Sequence, residues 1–309
     1  MTAYRFCRTD DIALLVDALN RCWSPYFPDE PAMTPAAFKR SIRDLQVWCS
    51  SCMVAFSGPD PIGVLIGAKR PSGTLVQKIA VHPDHRRQGH GRHLLASLGS
   101  KLAILGPPRI AAEVPEALAP ACELFGASEY VQETLLTDYV LPQEDDPDDA
   151  PGMPDPPAPW LRRGLAGPLR AQADDRAGRF VIPVTLDDLA ANGLLGEADP
   201  QVCWSRSVET LTARKDDIGG LAVASDERIE SCLLYVKEDA TAEILSLRTF
   251  IEDGGGGLNQ LLSRLRARGI RSFRIPKVHP AEISKELMET LGFRPAGGHL
   301  LYAARARSG

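Results

Sequence analysis

Residues 81 to 95, VHPDHRRQGHGRHLL, hold four of the chain's six histidines, three arginines, and two glycines separated by one residue. Three chemistries suit that mixture: a metal held by imidazoles, a basic surface for nucleic acid, or a cradle for phosphate. The pairs His82-x-x-His85 and His90-x-x-His93 have a spacing that zinc sites use. They fall, however, on a strand end, a tight turn and a helix start, and side chains on such separate pieces do not converge on one ion. No metal is expected. Nucleic-acid binding needs a broad basic surface with rings for stacking, whereas aromatic residues make up 6% of the chain and none lies in this stretch. The phosphate cradle fits the residue types. N–H groups at a helix start are unpaired and carry the positive end of the helix dipole. Gly89 and Gly91 let the main chain approach a bulky anion without an intervening Cβ. Arg86, Arg87 and Arg92 add cationic donors, with Gln88 and His90 between them.

Several elements must position this stretch. AYRFC reads as a short strand, and Asp10 or Asp11 starts a helix with Ile12, Leu14, Leu15 and Leu19 at helical spacing. The aromatic turn NRCWSPYFPDEPAM follows, then a helix opened by Thr34-Pro35. MVAFSG, IGVLIGAKR and TLVQKIAV read as three strands joined by Gly/Pro turns. After Gly91 come a Leu-rich helix, the strand RIAAEV, a helix ending at Gly126 and the strand YVQETLLTDYVL. The order predicts an α/β domain, with a mixed, mainly antiparallel sheet and flanking helices.

The chain has 309 residues, 44% hydrophobic and 24% charged, which suits two globular domains. Residues 142–159, PQEDDPDDAPGMPDPPAP, contain six acidic residues and seven prolines without one basic residue. Without those six carboxylates the formal charge of −5 becomes +1, so neither remaining half is strongly charged. Such a segment predicts an extended linker reaching at most about 55 Å at roughly 3.1 Å per residue. It divides the chain into domains at 1–141 and 160–309. Seven scattered cysteines resemble no disulfide framework and read as reduced thiols, the lone pair Cys49-x-x-Cys52 included. MTAYRFCRTDD shows no basic leader, and no apolar run approaches the roughly 18 residues of a membrane span. A cytoplasmic protein with neither membrane nor nucleic acid as partner is expected.

Val81, Pro83, Arg86, Gly89 and Gly91 form V-x-P-x-x-R-x-x-G-x-G. This string resembles the acyl-CoA motif of the GNAT (Gcn5-related N-acetyltransferase) superfamily, and the surrounding element order is similar from about residue 3 to residue 141. The resemblance implies that residues 86 to 92 bind the pyrophosphate of acetyl-CoA or another acyl-CoA. It also implies that main-chain groups of Ile79 and Val81 hold the pantetheine arm. From Arg179 the pattern recurs, ending in Leu291-Gly292-Phe293, a sequence similar to a frequent C-terminal signature of these proteins. A shift of 166 places Gly89 and Gly91 on Gly255 and Gly257, and Ile79 and Val81 on Leu245 and Leu247. The chain thus resembles two GNAT domains in tandem. The second is degenerate, because Glu252 and Asp253 replace Arg86 and Arg87 where a pyrophosphate would approach.

Transfer of an acyl group to an amine asks for a base, since only the neutral amine attacks, and for a proton or other stabilisation for the leaving thiolate. Where some relatives carry a Glu the matching position is Leu75, so Glu113 of RIAAEV is the candidate base. The position four residues before Gly126, where relatives often place a Tyr acid, holds Cys122; Tyr130 is the other candidate. The acceptor pocket is expected at the loop between the first two helices, with Trp23, Tyr26 and Phe27 as walls and Asp29 and Glu30 attracting a cationic amine. Small-molecule and peptide amines both remain open as acceptors. Two functions follow: an N-acyltransferase active in the first half, or a noncatalytic CoA-binding or interaction protein on the same scaffold.

Overall fold

The computed structural model describes residues 2–143, 178–195 and 202–307. All but Pro142 and Gln143 of the proline-rich segment lie outside them. β1 (Thr2–Phe6) precedes α1 (Ile12–Cys22), whose buried Leu15, Val16, Ala18, Leu19 and Cys22 make one apolar stripe. α2 (Pro35–Leu45) starts at Thr34, whose side chain accepts the Ala37 N–H (3.1 Å). Such a cap stabilises a helix by about 1 kcal/mol. β2 (Met53–Ser57), β3 (Asp60–Arg70) and β4 (Gly73–Val81) form the expected meander, then α3 (His90–Leu105), β5 (Arg109–Pro115), α4 (Ala119–Gly126) and β6 (Val131–Leu141). The second half repeats the order with β7 (Phe180–Pro183), α5 (Leu186–Ala191), α6 (Val208–Ala213), β8 (Gly219–Ala224), β9 (Ile229–Glu238), β10 (Thr241–Thr249), α7 (Gly256–Arg266), β11 (Ser272–Val278), α8 (Lys285–Thr290) and β12 (Arg294–Arg305).

The strands form one sheet in the order β1-β2-β3-β4-β5-β12-β6-β11-β10-β9-β8-β7. Read from either edge the order is the same, with one exchange. β12, last in the chain, pairs with β5 of the first half, and β6 pairs with β11 of the second. Packing follows the exchange: Tyr302 of β12 lies in the core beneath α3 and α4, while Tyr139 and Leu141 of β6 lie in the core beneath α7 and α8. Only β4·β5 and β10·β11 are parallel, as a helical crossover between neighbouring strands requires.

Alternation along β5 sends Ile110, Ala112 and Val114 to the α3/α4 face and Arg109, Ala111 and Glu113 to the α1/α2 face. On that second face the segment from Cys203 to Thr210 seals the halves together. Buried Arg70 of β3 donates to Gln46 Oε1, Ser207 Oγ and Thr210 Oγ1 (each 2.5 Å) and stacks its guanidinium 3.9 Å from the Trp204 ring centre. The cysteines are free thiols; burial pushes Cys7 up to about 12 and Cys52 higher, which leaves little thiolate for redox chemistry. Among the described residues no helix is long and apolar enough to cross a membrane.

Candidate functional site

Gly89 caps α3 with φ +85°, a backbone state that disfavours any side chain. The first main-chain bond of the helix runs from His93 N–H to Gly89 C=O (3.0 Å), which leaves the N–H groups of Gly89, His90, Gly91 and Arg92 over. Nothing lies within 4 Å of where a Gly89 Cβ would stand. The two glycines have different tasks, contrary to the expectation that both admit the anion. A Cβ on Gly91 would come within 3.0 Å of Leu124 Cδ2, so Gly91 is needed for the approach of α4 to α3. Arg87 has φ +60° and reaches Glu123 Oε2 (3.2 Å); the Arg86 guanidinium lies 5.8 Å from the Tyr26 ring centre. The His90 ring turns inward to the Tyr4 hydroxyl, 2.7 Å from Nδ1, and its buried Nε2 has no partner. Burial, then His85 and His93, depress its pKa. Among the described residues no group of three or more His, Cys, Asp or Glu could hold a metal.

β4 carries a bulge at Gln77: Lys78 pairs with Ile66 and Val76 with Gly67. β4 pairs with β5 only at Thr74↔Ile110 and Leu75↔Ala111, and beyond these the two strands part. His82 N–H donates to Ile62 C=O on β3 (2.9 Å), so strand alternation turns the main-chain groups of Ile79 and Val81 toward the gap. Those of Ile79 stay free for a ligand's amides. The Val81 carbonyl does not, because the Tyr26 hydroxyl donates to it (2.6 Å).

A cavity of about 900 Å³ joins these parts. Its lining includes the loop from Arg86 to Arg92, the β4 main chain from Val76 to Val81, Glu113, one side of α4, and Trp23, Tyr26 and Phe27. Trp23 and Phe27 stack at 4.4 Å. Glu30 already serves two donors, its Oε2 accepting from Trp23 Nε1 (3.0 Å) and Lys78 Nζ (3.3 Å). Lys78 lies 3.8 Å from the Trp23 ring centre. Burial lowers its pKa, Glu30 works against that, and nearby Lys277 adds to it.

Glu113 sits where β4 and β5 part. Its side chain is 7% exposed, and both oxygens are held by the second half of the chain: Oε1 by the Trp204 N–H (2.8 Å), Oε2 by Lys277 Nζ (2.9 Å). Desolvation disfavours the Lys277 ammonium, but Glu113, Cys203 and Asp138 together outweigh it and the pKa rises. The two expected proton donors lie off the cavity. Tyr130 is in the core, edge-on to Phe125, with an unpartnered hydroxyl whose pKa burial raises. Cys122 turns its thiol to the Pro115 carbonyl (3.9 Å). Neither side chain lines the cavity. Lys78, Trp204 and Lys277 were not anticipated. Lys78 lies in the quoted strand and was legible there, while the other two meet Glu113 only through the strand exchange.

The second loop has the same frame and different contents. Gly255 caps α7 with φ +85°. Asp253 fills the helix start, its Oδ1 accepting the Gly255 N–H (3.0 Å) and its Oδ2 the Gly257 N–H (2.7 Å). Leu287 and Leu291 cover it, standing 3.1 and 3.3 Å from a Gly255 Cβ. The strand alignment also departs from the uniform shift of 166. The β10 bulge falls at Leu245, opposite Gln77, and the Phe250 N–H donates to Glu230 C=O as His82 does to Ile62 C=O. The strands are offset by 168, and the second loop is two residues shorter.

Residues 12–127 match the acetyltransferase (GNAT) family in sequence. Among curated proteins none matches the chain. Similar solved structures include a GCN5-related N-acetyltransferase from Sphaerobacter thermophilus, 15% identical, with a TM-score of 0.62 over 100% of this chain and 96% of that one. A tandem GNAT protein from the clavulanic acid biosynthesis pathway is 18% identical, with a TM-score of 0.60 over 99% of each chain. A putative acetyltransferase from Pyrococcus horikoshii is 16% identical, with a TM-score of 0.58 over 99% of this chain and 90% of that one. At such identities the likeness concerns the fold. The N-terminal half thus carries a segment that matches the acetyltransferase (GNAT) family, and the fold of the whole chain is similar to that of a tandem GNAT protein.

Proposed function

We propose that the protein is an acetyl-CoA-dependent N-acyltransferase whose active site lies in the N-terminal unit, residues 1–141. The C-terminal unit, 160–309, is a degenerate copy joined to it by the segment 142–159. One observation carries the reading: an open helix start, a strand with unpaired main chain and a buried carboxylate share one cavity of about 900 Å³. The free N–H groups from Gly89 to Arg92, with Arg86, Arg87 and Arg92, suit a pyrophosphate. Ile79 offers main-chain partners to the pantetheine amides. Acetyl-CoA supplies the activated thioester. Glu113, on the opposite side of the gap from α3, takes the proton of the attacking amine. A thiolate, with a thiol pKa near 8.5, leaves without a dedicated acid far more readily than an alkoxide would, so the retreat of Tyr130 and Cys122 does not preclude turnover.

The acceptor enters on the α1/α2 face. There Trp23 and Phe27 wall the larger cavity, and a second cavity of about 260 Å³ shares Glu113 and continues beneath Trp204 and Leu301. That space suits a small amine or a single peptide terminus. The retreat of both expected acids favours the other reading, a CoA-binding protein without turnover. Thiol release from acetyl-CoA with an alanyl peptide, lysine, spermidine, kanamycin and phenethylamine separates the two. Turnover with one of these that Glu113→Gln lowers at least 100-fold is the expected result. Tight CoA binding with every amine inert supports the noncatalytic reading.

A further inference from the structure

The Glu113 carboxylate belongs to the first half, yet the groups that fix it come from the second. Each is itself held. Trp204 donates its indole N–H to the Leu45 carbonyl (2.8 Å) and lies under the Arg70 guanidinium. Lys277 stands at a bulge of β11 with φ +55°, a left-handed state uncommon for a residue with a side chain. Its N–H donates to Asp138 Oδ1 of β6 (2.8 Å), and its carbonyl accepts from buried Arg206 (3.3 Å). Arg206 is clamped by Glu282 through two bonds, 2.8 and 2.5 Å. Bulges beside active sites re-aim side chains, and this one aims an ammonium across both exchanged strands, β6 and β12, to the carboxylate on β5.

We propose that the second half, having given up its own anion cradle, serves as the positioning domain of the first site. Lys277 and the Trp204 N–H hold the Glu113 carboxylate pointed at the gap between β4 and β5. The inference rests on the reading of Glu113 as the base. The other charged or titratable groups facing the pair are Arg70 of β3, Lys78 of β4, Asp138 of β6 and Cys203 beside Trp204. Arg70 and Lys78 have carboxylate neighbours in Glu209 and Glu30. Lys277 is therefore the cation whose loss leaves the Glu113 carboxylate without its ion-pair partner. Loss of the ammonium frees Glu113 Oε2 to turn from the gap, so kcat falls while CoA binding, which other residues make, holds.

The test is the split between kcat and KM for thiol release from acetyl-CoA in the full chain, with whichever amine of the panel above turns over fastest. Lys277→Gln, which keeps a donor without the charge, and Lys277→Met should each lower kcat about tenfold, with KM for acetyl-CoA and CoA affinity unchanged. Lys277→Arg should keep most of the wild-type kcat. Because removal of the cation strands a buried carboxylate, Lys277→Gln serves if Lys277→Met does not fold. An unchanged kcat in Lys277→Gln, while Glu113→Gln is inactive, overturns the positioning role alone. Wild-type activity in Glu113→Gln, or no turnover with any amine, overturns the underlying reading and this inference with it.

Discussion

The loops before α3 and α7 start from one backbone plan and end in opposite states. Both put glycine at φ +85° on the helix cap, after a strand with a one-residue bulge, parted from its parallel neighbour. In the first the helix-start N–H groups face a cavity; in the second Asp253 takes two of them and Leu287 and Leu291 close over the glycine. The difference teaches that an anion site is lost by occupation more securely than by repulsion. A carboxylate merely near a phosphate costs around a kcal/mol where solvent screens it. A carboxylate bound to the same donors must be displaced from hydrogen bonds that also stabilise the helix.

The largest effect expected is from Gly89→Glu. A side chain there stands in a left-handed backbone and projects into space that is open to 4 Å, so CoA affinity by calorimetry should fall at least 100-fold. Gly255→Glu meets the same backbone restriction but should leave CoA affinity unchanged while lowering the melting temperature, since Leu287 and Leu291 are in its way. Equal losses of affinity in the two variants would break the comparison.

A smaller change should convert one loop toward the other. Arg87 is the position that the loop alignment sets against Asp253, and left-handed φ is tolerated by Asp better than by most residues. Arg87→Asp removes a cation and sets a carboxylate beside the free N–H groups of the α3 start. CoA should bind about tenfold more weakly, with no loss of thermal stability. Affinity as in the wild type would mean that occupation of the helix start does not decide which loop binds.

This contrast was partly legible in the residues themselves. The spacing of Arg86, Gly89 and Gly91 led to a strand–turn–helix because the glycines, the Leu-rich helix and the β4 run are local signals. Glu252 and Asp253 showed that the second loop differs, but the capping geometry was not evident, since it depends on how the chain folds over Gly254, with φ +64°. The two missing residues were hidden because a uniform shift of 166 matches glycines while the bulges are offset by 168. Cys122 was placed by analogy along the chain and Tyr130 by its nearness to Gly126, and packing against Pro115 and Phe125 turned both away. The exchange of β6 and β12 leaves no local trace: either strand, paired at home or across, buries one face and alternates alike. Hence Lys277 and Trp204, which complete the surroundings of Glu113, could not be found without the fold.

The smallest effect tests what Asp253 does for its own half. Asp253→Ala removes two acceptors from the α7 start and a negative charge from the positive end of its dipole. The cost should be about 0.5–2 kcal/mol, read as a drop in unfolding free energy. It should not open a second CoA site, because Leu287 and Leu291 still cover Gly255 and no arginine replaces the lost carboxylate. Calorimetric titration of this variant should therefore give one CoA per chain, as for the wild type. A stoichiometry of two would show that Asp253 alone had closed the second cradle, and that the leucine cover yields when the carboxylate is gone.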